Sequence, residues 1–227
     1  MRQELQRSGS PSPSANQIDQ LGDRLRVDDY TEDDLRLLDH FRRSYAPAYE
    51  HTVNAIRENL RNATTGRPAK STTAIRDKLL RSSMRLSQMQ DIAGCRLIVE
   101  DRRQQDELVA QVTELFPGST VIDRRVKASH GYRAVHVIVP IGEKTVEVQV
   151  RTEPQQAWAE YAEKLADTID PALKYGGGPE GPRAILNALS NVTQFVEQIE
   201  LDGSGLHHQF AAALAEVASK LAHMNRE

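Results

Sequence analysis

The chain has 227 residues, 25.4 kDa, 39% hydrophobic residues and a formal net charge of -3, which suits one domain with helical additions and excludes a polycation built to coat nucleic acid. Its one cysteine, Cys95, excludes an internal disulfide and a cysteine-rich metal site; lying in an apolar run, it is expected as a buried thiol. No apolar window is long enough to span a bilayer and the Gln- and Ser-rich start has no signal-peptide core, so a cytoplasmic protein without a membrane partner is expected.

In chain order, residues 1–20 contain SGSPSPSANQ, have little to bury and are expected as a disordered tail. Thr31 reads as the cap of a helix opening with EDDL, with Asp34 at the capping-box position; the helix runs towards Arg61 with an interruption at Pro47, and TTGRP breaks it. A second helix starts at Ser71 or Thr72 and turns Ile75, Leu79 and Leu80 inward. Between Arg61 and Arg96 stand eight Lys or Arg and two Asp, a composition that draws anions. Arg67, Lys70, Arg76, Lys78 and Arg81 near a helix start suit phosphates, and suit equally a merely soluble amphipathic helix. DIAGCRLIVED predicts a central strand from about Ala93, because apolar residues fill it almost without alternation. RRQQDELVAQVTELF predicts a helix ended by Pro117 and Gly118. Strands follow around 119–127, 133–141 and 144–152, then a helix through Trp158 and Leu165 with Pro154 in its first turn. GGGPEGP at 176–182 reads as a joint, and two further helical patterns run from Ile185 to Ile199 and from Leu206 to Met224. His207 and His208, near the last helix, read as surface residues. The order indicates an α/β or α+β fold: a single mixed β-sheet flanked by helices.

A tight turn at Gly142 and Glu143 makes cross-strand partners sum to 285. Val139, Val137 and Val135 then oppose Val146, Val148 and Val150 on one face, while period two gathers His136, Glu147, Gln149 and Arg151 on the other. Alternation alone fits a solvated outer face with an ion pair. It also fits a working surface, on which Glu147 ligates Mg²⁺ through oxygen or takes a proton from a nucleophilic hydroxyl, and Asp91 is a second oxygen ligand at the mouth of the neighbouring strand. Tyr132, following Gly131, is either a base-stacking aromatic or a packed turn tyrosine. HExxH, CxxC, GxxxxGK[ST] and GxSxG are absent.

Taken together, the Lys70-Ser71 basic segment, DIAGCR at 91–96, HGYRAVH at 130–136, VEVQVRT at 146–152 and WAEYAEK at 158–164 make the chain resemble the RelA/SpoT-type nucleotide pyrophosphokinase domain in its short alarmone-synthetase form. The resemblance implies a nucleotidyltransferase-like synthetase domain over 21–175 and a C-terminal helical extension over 176–227. It implies transfer of the β,γ-pyrophosphate of ATP to the ribose 3′-hydroxyl of GDP or GTP. Asp91 and Glu147 would be the Mg²⁺-binding acids, with Glu147 also activating the hydroxyl, and Tyr132 would stack on the acceptor base. Arg67, Lys70, Lys78, Arg81 and Arg96 would hold ATP and its phosphates, and His136, Gln149 and Arg151 would line the acceptor side. Two departures leave the acceptor open. VIDRRVKASHGY replaces the family's K-D-Y-I, P-K and N-G-Y stretch, with Asp123, Arg124, Arg125 and Lys127 standing in for its charges, and Glu163-Lys164 replaces its E-H pair. Relatives use adenine nucleotides or, as toxins, the 3′-CCA end of tRNA; a non-catalytic nucleotide sensor is a further reading. An antitoxin or a second copy of the chain are the protein partners considered.

Overall fold

The computed structural model describes residues 13–67, 69–126, 128–199 and 206–224, so the expected tail lies outside it up to residue 12 and Lys127 lies outside it entirely. From Ala15 the tail expectation is overturned: α1 (Ala15–Arg26) is a helix. Its start is a capping box in which Ser14 and Gln17 each satisfy the other's backbone N–H. Ile18, Leu21 and Leu25 are buried on one of its faces, and Arg26 donates to the carbonyls of Leu79, at 3.0 Å, and Met84, at 2.9 Å.

Thr31 and Asp34 form the expected capping box of α2 (Glu32–Arg43). The chain breaks at Ser44 and Tyr45 and resumes as α3 (Ala46–Leu60) with Pro47 in its first turn, the position where a missing N–H leaves no bond unmade. The segment expected only to break the helix is a short edge strand, β1 (Thr65–Arg67), antiparallel to β2 (Ala93–Val99). Its partners lie 27 to 31 residues away in sequence, which no local propensity reports. Ser71 caps α4 (Thr72–Arg81), which buries Ile75 and Leu79. Leu80, expected inward, is 59% exposed, because it lies a further 100° around the helix from Leu79.

Helix α5 (Arg102–Leu115), capped by Asp101, leads to β3 (Thr120–Asp123), β4 (Val135–Ile141) and β5 (Lys144–Thr152), the first two shorter than their expected spans. The sheet is mixed, in the order β1-β2-β5-β4-β3, with β2 parallel to β5 and the other pairs antiparallel. The hairpin register is the expected one: Val139 opposes Val146, Val137 opposes Val148 and His136 opposes Gln149. Valines of β4 and β5 join Cys95, Leu97 and Val99 against α3 and α5 in the main core. The opposite face faces α6 (Glu153–Thr168), which starts directly after β5 with Thr152 as its cap and buries Trp158 and Leu165. A 3-10 turn, Pro171–Tyr175, leads through Gly176 to α7 (Glu180–Ile199), which enters inside the stretch expected as a joint. Helix α8 (Leu206–Met224) packs on α6. Among the described residues no helix is long and apolar enough to cross a membrane.

Candidate active site

The parallel pairing of β2 with β5 sets Gly94 beside Glu147, Arg96 beside Gln149 and Ile98 beside Arg151, and β4 adds His136 beside Gln149. One sheet face therefore carries the polar row. Gly94 makes the approach possible, since a Cβ there would stand 2.9 Å from the Glu147 carbonyl oxygen.

Five side chains close a ring of hydrogen bonds. Arg151 Nη2 donates to Tyr132 Oη at 2.9 Å and to Gln149 Oε1 at 2.8 Å. Gln149 Nε2 donates to Glu147 Oε2 at 2.7 Å. Tyr132 Oη lies 2.8 Å from His136 Nε2, and His136 Nδ1 lies 2.8 Å from Glu147 Oε1. A neutral imidazole protonated on Nδ1 makes every bond consistent: Arg151 donates to the phenol, the phenol to Nε2, and Nδ1 to the carboxylate. All donors thus lead to Glu147, and each of its oxygens keeps a lone pair for something else. Burial pushes the Glu147 carboxyl upward and Asp91 adds to that push, but the hydrogen bond from His136, with that from Gln149, leaves it below its ordinary value.

Asp91 stands just before β2 and accepts from Lys70 Nζ at 2.8 Å and Lys78 Nζ at 2.7 Å. Burial raises its carboxyl pKa, and the two lysines outweigh burial and lower it. Asp91, Glu147, Gln149 and Lys70 line two adjoining parts of one cleft; Tyr132, His136, Arg151, Lys78, Arg124, Lys174 and Tyr175 line its wider part and Arg96 its narrower part. Arg96 has a guanidinium lowered in pKa by burial first and by Arg151 second. The Nε atoms of Arg96 and Arg151 are buried without a hydrogen-bond partner, and both residues line the cleft that holds the two carboxylates.

The sequence-predicted residues do not all converge. Arg67 is placed only by its backbone, opposite Gly94. Arg81 is stacked on the Tyr175 ring, 3.3 Å from its centroid, at the exposed end of α4. Arg76 points away from the cleft and bonds Asp28 at 2.5 Å and the Leu25 carbonyl at 3.4 Å, tying α4 to α1. Of the charges expected to replace the family's missing stretch, Arg125 is occupied by Asp123 and Asp106, while Arg124 reaches the cleft. The Tyr132 ring is held by its hydroxyl and has Arg151 over it at 5.0 Å from the centroid. His208 is exposed, as expected, and paired with Glu153. Sequence reasoning missed Gln156, whose Oε1 accepts from Arg151 Nη1 at 2.9 Å, and missed the wall formed by Lys174 and Tyr175. A lysine–tyrosine pair before a glycine run was a legible signal for that wall; Gln156 offered none.

Residues 66–166 match the family model described as "Region found in RelA / SpoT proteins". Small alarmone synthetase 1 from Bacillus subtilis, in a structure bound to its product pppGpp, superposes with a TM-score of 0.55 at 22% identity, over 77% of this chain and 99% of that one. The chain has the RelA/SpoT synthetase fold. A Streptococcus mutans protein of known structure is similar to the same degree, with a TM-score of 0.54 at 22% identity over 74% of this chain and 96% of that one. Uncharacterized proteins of Mycobacterium tuberculosis and Mycobacterium bovis are each 34% identical over 116 residues, which is 49% of this chain and 42% of theirs. The matched stretch therefore spans less than half the length of these curated relatives. Within the chain, the RelA/SpoT match contains the whole polar ring and Asp91, and it ends before α7 and α8.

Proposed function

We propose that this protein is an ATP-dependent pyrophosphokinase that transfers the β,γ-pyrophosphate of ATP to the ribose 3′-hydroxyl of GDP or GTP. The observation that carries the reading is Glu147: a buried carboxylate held ionised by donors on both oxygens, in a cleft otherwise rich in lysine and arginine. In this reaction the 3′-hydroxyl gives its proton to Glu147 as its oxygen bonds to the β-phosphorus. The bond from that phosphorus to the α,β-bridging oxygen breaks, and AMP leaves with the electron pair. Such chemistry needs positioning and charge neutralisation more than a covalent nucleophile.

In this reading Lys70 and Lys78, joined at Asp91, and Arg96 bind phosphate oxygens, and His136 and Gln149 keep the base oriented. Asp91 and Glu147 are hard oxygen donors in one cleft. No cluster of three or more His, Cys, Asp or Glu suited to a metal occurs among the described residues. Two carboxylates, with phosphate oxygens and water completing the shell, fit Mg²⁺, which when bound neutralises charge on the triphosphate. His136, Tyr132 and Arg151 bound the side of the cleft assigned to the acceptor.

The test is labelled ATP offered with GDP, GTP, AMP, ADP, ATP and deacylated tRNA in turn. Label on GDP or GTP alone is expected. Label on tRNA alone would assign the toxin reaction instead, and label on adenine nucleotides alone an adenine-specific synthetase. Nucleotide binding without any transfer would leave a sensor. Glu147→Gln should lower kcat by about 10²–10⁴, the usual contribution of a general base, while leaving the fold intact.

A further inference from the structure

Helix α7 lies outside the family-matched region, yet beside Leu186 and Val196 its buried face carries three polar residues. Ser190, Thr193 and Glu197 are all buried there, at 2%, 1% and 6% exposure. A globular helix normally buries apolar residues on that face, so each buried polar group calls for a partner. Ser190 Oγ donates to the Gly131 carbonyl at 2.6 Å and accepts from Arg133 Nε at 3.2 Å. Gly131 and Arg133 are the two neighbours of Tyr132. Glu197 Oε1 accepts from the Thr152 hydroxyl and, at 2.9 Å, from Gln155 Nε2. Thr152 follows Arg151, and Gln155 precedes Gln156, which holds the Arg151 guanidinium.

The contacts fall on chain neighbours of the site and on no residue of the ring itself. Gly131 has φ +90° and passes so close to α6 and α7 that a Cβ would stand 2.7 Å from Trp158 Cζ2 and 3.3 Å from Ser190 Cβ. Trp158 in turn donates to the Leu186 carbonyl of α7 at 2.9 Å. The turn that presents Tyr132 is thus clamped between α6 and α7. At the other end, Gln155 and Gln105 exchange amide bonds, and Gln105 reaches the Val150 carbonyl at 2.8 Å, so the Glu197 contact is continuous with the backbone of β5.

We propose that α7 is a positioning element for the acceptor side of the site: Ser190 fixes the turn carrying Tyr132, and Glu197 fixes the β5–α6 junction carrying Arg151. Tyr132 and Arg151 bond each other, so loosening either clamp frees one partner of that bond. The donor side, built from Lys70, Lys78 and Asp91, has no contact with Ser190 or Glu197 among the bonds described. The consequence is selective: α7 governs acceptor binding and leaves ATP binding alone. This deepens the proposed function and rests on it for the identity of the acceptor.

The experiment compares Ser190→Ala, Glu197→Leu and Glu197→Gln in the full chain. Steady-state kinetics give the acceptor and ATP KM, and hydrogen exchange without nucleotide covers 130–136 and 149–156. Ser190→Ala and Glu197→Leu should raise the acceptor KM about five-fold or more, the scale of one lost hydrogen bond, with the ATP KM unchanged. Exchange should quicken in those two segments ahead of the sheet core. Glu197→Gln retains an acceptor oxygen for Thr152 and should restore near-native values. Equal changes in both KM values, following the loss of Tm, would overturn the proposal, as would an unchanged acceptor KM in folded Ser190→Ala and Glu197→Leu. If no nucleotide is turned over, the proposed function fails, and the exchange data decide the positioning role alone. Quickening confined to the two segments then supports it; unchanged or global exchange overturns it.

Discussion

Glu147 balances opposed influences. Burial drives its carboxyl towards the protonated form, and His136, one donor bond away, holds it ionised. His136→Phe removes the largest opposing influence and keeps much of the ring volume, so burial should prevail and the Glu147 carboxyl should titrate at higher pH. A base acts only when deprotonated, so activity is lost as pH falls through its pKa. The acid limb of the kcat–pH profile should therefore move to higher pH in His136→Phe, by about one unit or more given the usual size of such effects. A profile unmoved, or moved to lower pH, would show that the imidazole does not set the state of Glu147. The same residue was legible in sequence, because period two and a two-residue turn place it beside His136 and Gln149 without any long-range information. Arg76 and Arg81 were not. Both sit on α4, and which way they face is decided by Asp28 in one case and Tyr175 in the other.

The turn before β4 couples two elements through a single small residue. Gly131 adopts φ +90° and lies against both Trp158 of α6 and Ser190 of α7. Gly131→Ala adds strain in a conformation that L side chains rarely adopt, together with a collision against a rigid indole. The expected cost is about 2–4 kcal/mol, read as a lower denaturant midpoint. A midpoint within error of the parent would mean the turn can yield. Elements whose signals are local were readable in the same way: Thr31 with Asp34, Ser71, and Pro154 behind Thr152 all start helices where their side chains indicate. Helix α1 had such a signal in Ser14 and Gln17, obscured by a Ser- and Pro-rich approach that reads as a tail. Strand β1 and the buried polar face of α7 had none. Their reasons for existing are partners elsewhere in the chain: β2 for the first, and the 131–133 turn with the β5–α6 junction for the second.

Over the whole molecule, strands β2 to β5 and their flanking helices follow from alternation and turn chemistry, and the elements added around them depend on tertiary contacts. At the N-terminal end, Arg24 grips Asp34 with two bonds, Nε to Oδ2 at 3.0 Å and Nη2 to Oδ1 at 2.5 Å, joining α1 to α2. That bond to Arg24, with help from Thr31, holds the Asp34 carboxyl at about 2. A carboxyl depressed by folding stabilises the native state above its unfolded pKa, and the contribution disappears as pH falls through the native value. Asp34→Asn should therefore lower Tm at neutral pH, with the difference from the parent shrinking below about pH 4 and gone only below about pH 2. A difference that persists undiminished into strong acid would mean that the carboxylate charge is not what joins the two helices.

Cys95 offers a final consequence. It is the chain's one thiol, it lies in β2 between β1 and β5, and burial first, then the charge of Glu147, pushes it up to about 12. A thiol reacts as its thiolate, so alkylating reagents have almost nothing to attack while the sheet stays closed. The rate at which this side chain takes up a label is then a clock for the opening of the molecule around its own reaction centre. It runs without an engineered probe, and a nucleotide seated in the cleft that Cys95 helps to line should slow it.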